Sequence, residues 1–189
     1  MPSYLSGVKD FIKSWDDPFV GVAGETGSDV IRESPQGNIN SEGTSACYNS
    51  PAFTKYHRKF KKSLEAGIRD LTLALILKLN CITYSSCQGH RATDDAVMRQ
   101  RYVGILPRDH TEYEYLYGCF QNLAALTNSL CNDTSVRVYI QEDTLQSEDC
   151  VMPCLNLFFV GIRGDEDSYF QDLEIVYQKF ISLVNMIHY

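Results

Sequence analysis

Residues 81–91 have the sequence Cys-Ile-Thr-Tyr-Ser-Ser-Cys-Gln-Gly-His-Arg, in which a polar loop directly follows an apolar run. The β-branched and aromatic residues at the start of this stretch predict a strand over 81–85. The loop that follows carries hydroxyl, thiol, amide, imidazole and guanidinium groups around Gly89. Because glycine adopts backbone angles that other residues rarely adopt, the chain can turn sharply there and present its amides. This junction predicts a sheet strand that ends in a ligand site.

The segments on both sides of the junction complete an α+β pattern. Apolar residues recur at intervals of three and four in three segments, which predicts helices over 54–79, 111–130 and 168–186. Three more strands are predicted over 102–106, 136–140 and 154–162. The order helix, two strands, helix, two strands, helix predicts a two-layer sandwich. Its sheet is expected to have four strands, mixed or antiparallel, with the helices mainly on one face.

The chain of 189 residues is long enough for one domain with a substantial core. Residues 50–189 are predicted to form this domain, and residues 1–49 an N-terminal arm with a short helix over 4–15 followed by irregular chain. No run of about 18 apolar residues occurs, so we expect no membrane partner. The seven cysteines are an odd number and no secretion signal is recognisable, which favours a reduced, cytoplasmic protein.

Positive charge is concentrated around the loop although the whole chain carries a net charge of −7. Residues 55–108 contain eleven basic and four acidic side chains. This excess favours an anionic ligand near the loop, and a solvated basic helix face would give a similar pattern. The overall negative charge argues against general coating of nucleic acid.

A role in ligand binding is predicted for the hydroxyl, amide, glycine and arginine residues in and near the loop. The hydroxyls and the amide would hydrogen-bond the ligand, the glycine would let the backbone approach it, and the arginines would neutralise phosphate. The residues are Ser85, Ser86, Gln88, Gly89, Arg91, Arg101 and Arg108.

Cys87 and His90 are the candidate catalytic pair. Their spacing brings a soft sulfur and an imidazole together, as nucleophilic catalysis or zinc binding requires. Zinc prefers four ligands, and the clearest additional thiols are Cys150 and Cys154, so no set of metal ligands is assigned. A phosphatase loop is excluded because Thr93 stands where that motif needs arginine. The plain alternative is a turn with Cys87 packed beneath it.

Two other polar segments are better explained by local structure. Residues 109–112 (Asp-His-Thr-Glu) are predicted to cap the middle helix, with Asp109 or Thr111 as the capping residue. The acid-rich residues 141–149 are predicted to form a solvated hairpin connection, with a divalent cation as the alternative.

The sequence over 83–90, Thr-Tyr-Ser-Ser-Cys-Gln-Gly-His, resembles the tRNA wybutosine-synthesizing methyltransferase family of the third-step type. In that family a strand ends in Thr-Ser-Ser-Cys-Ser-Gly-Arg; here Gln88 and His90 replace the second-last serine and the arginine. The similarity extends loosely over residues 80–130. It implies an α+β fold whose Ser-Cys loop lines a site for S-adenosylmethionine or for a modified guanosine in RNA.

Two hypotheses of function follow from the sequence. In the first, the protein binds a nucleotide or an RNA element at the 85–91 loop, as a small-molecule or RNA-modifying enzyme, with S-adenosylmethionine or zinc as the cofactors to test. In the second, it is a non-catalytic interaction module or a homodimer that uses its tyrosine-rich helix and its N-terminal arm.

Overall fold

The computed structural model describes residues 3–4, 7–19, 53–57, 60–147 and 150–187. Most of the predicted N-terminal arm, including residues 20–52, lies outside the described residues. The described part contains helices and strands in an alternating order. They are β1 (Ser3–Tyr4), α1 (Val8–Ser14), α2 (Phe60–Ser63), α3 (Ala66–Leu79), β2 (Thr83–Cys87), β3 (Arg101–Ile105), α4 (His110–Leu130), β4 (Val136–Gln146), β5 (Val151–Gly161) and α5 (Glu166–Asn185).

The strands form one sheet in the order β1-β4-β5-β3-β2. The four longer strands are antiparallel to their neighbours, and β1 adds two residues in parallel beside the end of β4. The predicted α+β architecture, with a four-stranded antiparallel sheet and helices, is therefore confirmed. None of the helices in the described residues is long and apolar enough to cross a membrane.

The main core lies between one face of the sheet and helices α3, α4 and α5. Alternate residues of β5 point to this face, because successive side chains of a strand point to opposite sides. Phe159 is fully buried there, with its ring centre 5.7 Å from that of Tyr177 and 5.9 Å from that of Phe180. Burying this face is the main force that holds the helices on the sheet.

A smaller core covers part of the opposite face. Trp15 of the α1 segment is fully buried and packs edge-on against Phe11 and Phe60. Leu145 and Cys154, from neighbouring strands, belong to the same cluster. The helices that build the candidate site therefore contact both faces of the sheet, because α2 joins this smaller core and α3 joins the main one.

Several predicted boundaries change in ways that affect the site. The predicted helix over 54–79 is wrong as one element: it is interrupted at residues 64–65, and Glu65 becomes the N-cap of α3. Strand β2 starts at Thr83 and extends to Cys87, so this thiol lies on a strand. Strand β4 continues to Gln146, so much of the acid-rich stretch predicted as a turn is a sheet strand.

The ends of the long helices are capped by acidic residues. Asp109 accepts a hydrogen bond from the Glu112 amide at the start of α4, at 2.8 Å. Asp165 accepts one from the Ser168 amide at the start of α5, at 2.9 Å. The capping role predicted for Asp109 is confirmed, and a carboxylate at this end of a helix also interacts favourably with its dipole.

Candidate functional site

The site is formed where the end of β2 meets the start of α3. Beyond Cys87 the chain turns through Gly89, whose φ of +85° is in the left-handed region. A Cβ atom at this position would lie 3.2 Å from the Arg101 amide nitrogen, so the turn is both strained and crowded for any other residue. The chain then pairs His90 with Arg99 through two backbone hydrogen bonds of 2.9 Å. This pairing fixes the position of the imidazole.

Three potential metal-ligand side chains converge here: Glu65, Cys87 and His90. One ligand atom from each lies within 4.8 Å of the other two. The Nε2 atom of His90 is 2.9 Å from Oε1 of Glu65, and the Gln88 amide donates a hydrogen bond of 2.6 Å to the other carboxylate oxygen. Glu65 and Cys87 are buried, and the His90 side chain is 11% exposed. A carboxylate, a thiol and an imidazole thus share one nearly closed space.

Burial controls the ionisation of all three groups. Desolvation raises the pKa of Glu65 to about 7, although the Gln88 amide and the Arg99 and Arg101 charges act against this rise. Desolvation also raises the pKa of Cys87. It lowers the pKa of His90, and the nearby Arg99 charge lowers it further. The metal-free site therefore favours neutral forms, including a neutral imidazole and a protonated thiol, and does not activate Cys87 as a nucleophile.

The raised pKa of Glu65 predicts how stability depends on pH in the metal-free protein. The folded state holds the Glu65 proton between pH of about 4.5 and about 7, whereas the unfolded state has already lost it. This contribution to stability is complete below pH of about 4.5 and is lost as the pH rises to about 7. We expect Glu65→Gln to remove this decline, as measured by urea unfolding with a chelator present.

The comparison must separate Glu65 from His90, whose lowered pKa acts in the opposite direction. Stability from a neutral imidazole is present above pH of about 6.5 and is lost as the pH falls below it. The difference between wild type and Glu65→Gln, measured at each pH, isolates the carboxyl contribution. A difference that does not change between pH 4.5 and 7 would contradict the desolvated carboxyl that we describe.

Arg101 is a buried support of the loop. Its Nε donates a hydrogen bond of 2.8 Å to the Gln88 carbonyl, and Nη1 donates one of 3.2 Å to Glu174. Its guanidinium carbon lies 4.2 Å from the centre of the Tyr177 ring, within range of a cation–π interaction. Its backbone amide donates to the Tyr169 hydroxyl at 2.9 Å. These contacts hold the loop against α5.

We expect Arg101→Met to lower the free energy of unfolding by about 2 kcal/mol, because it removes a charged hydrogen bond and the ring contact while keeping an apolar stem. Arg91→Met is the matched control, since Arg91 is 53% exposed and pairs with exposed Asp167. Its loss should cost at most about 0.5 kcal/mol. Equal losses in urea unfolding would show that Arg101 does not support the fold.

The other predicted ligand-binding residues occupy different surroundings. Ser85 shares a hydrogen bond of 2.7 Å with the Tyr102 hydroxyl, and Ser86 pairs with Val103 in the sheet. The Gln88 side chain accepts a hydrogen bond of 2.9 Å from the Gly67 amide. Both the main chain and the side chain of Gln88 thus fasten the loop to neighbouring elements.

The three predicted phosphate-binding arginines do not converge. Arg91 contacts Asp167 and Glu166 at the start of α5. Arg108 lies beyond the far end of β3 from Arg101 and contacts Glu112, Asp16 and the Asn80 carbonyl. Each guanidinium already contacts a carboxylate, so the positive charge counted in the sequence is largely neutralised within the fold.

The two additional thiols considered as zinc ligands are not in this cluster. Cys154 lies in the smaller core, where its sulfur is 3.5 Å from the Tyr84 hydroxyl, and Cys150 packs against the same cluster. The third ligand atom comes instead from Glu65, which sequence reasoning missed. An acidic residue just before an apolar helix is the signal that could have indicated it, provided that the interruption of the helix had been recognised.

Comparison of the chain with protein-family models, with curated proteins and with solved structures finds no match.

Proposed function

We propose that the protein binds one divalent transition-metal ion, zinc above all, through Glu65, Cys87 and His90. The observation that supports this most directly is the convergence of their three ligand atoms within 4.8 Å. Four-coordinate zinc at its usual bond lengths keeps neighbouring ligand atoms roughly 3.5 Å apart. Small movements of the side chains toward a shared ion are therefore sufficient.

The donor set suits zinc for chemical reasons. Thiolate, imidazole and carboxylate together are typical of zinc sites, whereas magnesium and calcium prefer oxygen ligands alone. The ion would displace the protons of Cys87 and Glu65 and would offset the desolvation of their charges. The Gln88 amide, bonded to the second oxygen of Glu65, would orient the carboxylate, as outer-shell groups do in metal sites.

Three protein ligands leave one tetrahedral position for a ligand. Zinc sites of this kind are typically catalytic, because the ion polarises a bound water or a carbonyl or phosphoryl oxygen. With Zn²⁺, thiolate and carboxylate the formal charge of the site is zero, and Arg99 adds a nearby positive charge, as its effect on the pKa of His90 indicates. An oxyanion is the class of ligand that this position favours.

The direct test is the metal content of untagged protein and its affinity for zinc. We expect about one zinc per chain by elemental analysis, and competition with a chromophoric chelator should then give the dissociation constant. Cobalt substitution should produce a sulfur-to-cobalt charge-transfer band. Cys87→Ser should lose that band and bind zinc more weakly.

Cys119→Ser is the matched control. This thiol is half-buried on α4 and lies outside the metal-ligand cluster, so its replacement should leave the stoichiometry, the affinity and the cobalt band unchanged. Wild-type protein that binds no zinc would overturn the proposal. A Cys87→Ser variant that binds zinc as the wild type does would overturn the role of the thiol.

Binding of a nucleotide or RNA, methyl transfer and cytoplasmic location stay predictions from the sequence. Addition of S-adenosylmethionine, a nucleoside triphosphate or a short RNA to the zinc-loaded protein tests the first two by calorimetry. Arg99→Gln is the variant to compare, because Arg99 is the arginine whose charge acts on both Glu65 and His90. Loss of binding in this variant would support an anionic ligand at the loop.

A further inference from the structure

The outer edge of β4 is blocked at both ends and open in the middle. The Ser147 amide donates to the Cys150 carbonyl across the hairpin, so odd-numbered residues of β4 bond to β5 and even-numbered residues face outward. At one end, the Asn128 side chain bonds both the amide and the carbonyl of Val138, at 2.8 and 2.9 Å. At the other end, β1 pairs with Gln146.

The open window consists of Ile140 and Glu142. The next outward amide, that of Thr144, already donates to the Asp143 side chain at 2.8 Å. Within the described residues, no group hydrogen-bonds the outward amide or carbonyl of Ile140 or Glu142. Two donors and two acceptors therefore stand at the spacing of a strand edge, which is the arrangement that binds extended peptides by strand addition.

A groove of about 520 Å³ runs between this window and α4. Ala124 and Ala125 form part of its lining, and their small side chains leave room beside Ile140. Tyr117 and Gln121 line the same groove. An added strand would place every second side chain over α4, so the groove fits an apolar side chain of moderate size.

The charge around the window is negative. Glu142 is exposed, Asp143 lies beside it, and α4 carries acidic residues but no lysine or arginine. Arg137, the basic residue of β4, directs its guanidinium to backbone carbonyls of residues 131–136. A partner that pairs with this edge therefore gains from basic side chains that alternate with apolar ones.

We propose that the window at Ile140 and Glu142 is a docking site for an extended, basic segment of a partner protein, which adds as a strand to the edge of β4. The Asn128 amide already occupies the neighbouring edge position at Val138 in the way that a partner backbone would. The proposal is independent of the metal site.

The test uses a seven-residue peptide of alternating valine and lysine, with the valine–glutamate peptide as comparator. Amide NMR spectra should show the largest changes at residues 140–142 with the lysine peptide. Glu142→Pro removes an outward amide without removing a bond to β5, so we expect it to weaken binding about tenfold or more. Glu142→Gln is the matched control, because it keeps the amide and changes only the charge.

The outcomes separate the strand edge from its alternatives. Equal binding of both peptides, or full binding by Glu142→Pro, overturns the proposal. If Glu142→Pro does not fold, Ala125→Leu fills the groove from an exposed helix position and should weaken binding similarly. Light scattering that shows a dimer through this edge, dissociated by Ala125→Leu and indifferent to the peptide, would assign the window to a second copy of the chain and overturn the peptide proposal.

Discussion

Replacing His90 with alanine is expected to lower the affinity for zinc about 100-fold or more. Loss of an outer-shell group in a metal site typically costs 10- to 100-fold in affinity, so loss of a direct ligand should reach or exceed the upper end of that range. The two remaining ligands would be a thiol and a carboxyl whose burial already opposes ionisation. Competition titration against a chromophoric chelator measures the change.

His110→Ala is the control for this variant. His110 is the first residue of α4, its side chain is 83% exposed, and it lies outside the metal-ligand cluster. Its replacement should leave zinc affinity unchanged. If both histidine variants lose the same affinity, zinc binds at exposed histidines and the proposed site is wrong.

Replacing Phe159 with alanine is expected to lower the free energy of unfolding by about 4 kcal/mol, which is a large part of the total for a domain of this size. The ring is fully buried among aromatic side chains of α5, and its removal leaves a cavity that these helix-borne rings cannot fill without moving. Urea unfolding, followed by circular dichroism, measures the loss.

Phe158→Ala provides the comparison within the same strand. Phe158 is half-buried on the opposite face of the sheet, where its ring centre lies 5.3 Å from that of Tyr102. Since less of its surface is removed from water, its loss should cost about 1 kcal/mol. The reverse order of the two losses would mean that the helices pack on the other face of the sheet.

The fold was largely predictable because its long elements carry strong apolar periodicity. The one-helix prediction over 54–79 was wrong for a definite reason: buried positions continue at intervals of four through the interruption, at Phe60, Leu64 and Ile68. Phe60 and Leu64 belong to the smaller core, whereas Ile68 belongs to the main core. Periodicity within one segment does not reveal that its residues pack against two different cores.

The extension of β4 was missed because its stability depends on a distant partner. Exposed polar residues over 141–144 resemble a turn, and their strand conformation depends on the ladder that they form with residues 153–156 of β5. Such cross-strand bonds leave little trace in the local composition. The acid-rich sequence therefore suggested a loop where the sheet continues.

The candidate site was predictable only in its local half. Cys87 and His90 were identified because they are close together in the sequence, whereas Glu65 lies 25 residues before His90 and is brought to it by the packing of α3 beside β2. The role of Arg101 was also hidden, because its carboxylate partner Glu174 is 73 residues away. Counting charges in a window cannot show which of them are already paired.

X-ray absorption at the zinc edge, on zinc-loaded wild-type protein, tests the metal-site proposal most directly. We expect one sulfur at about 2.3 Å and about three nitrogen or oxygen atoms at about 2.0–2.1 Å, with the sulfur lost in Cys87→Ser and kept in Cys119→Ser. A first shell of nitrogen and oxygen alone in the wild type, or of two or more sulfurs, would contradict a site made of Glu65, Cys87 and His90.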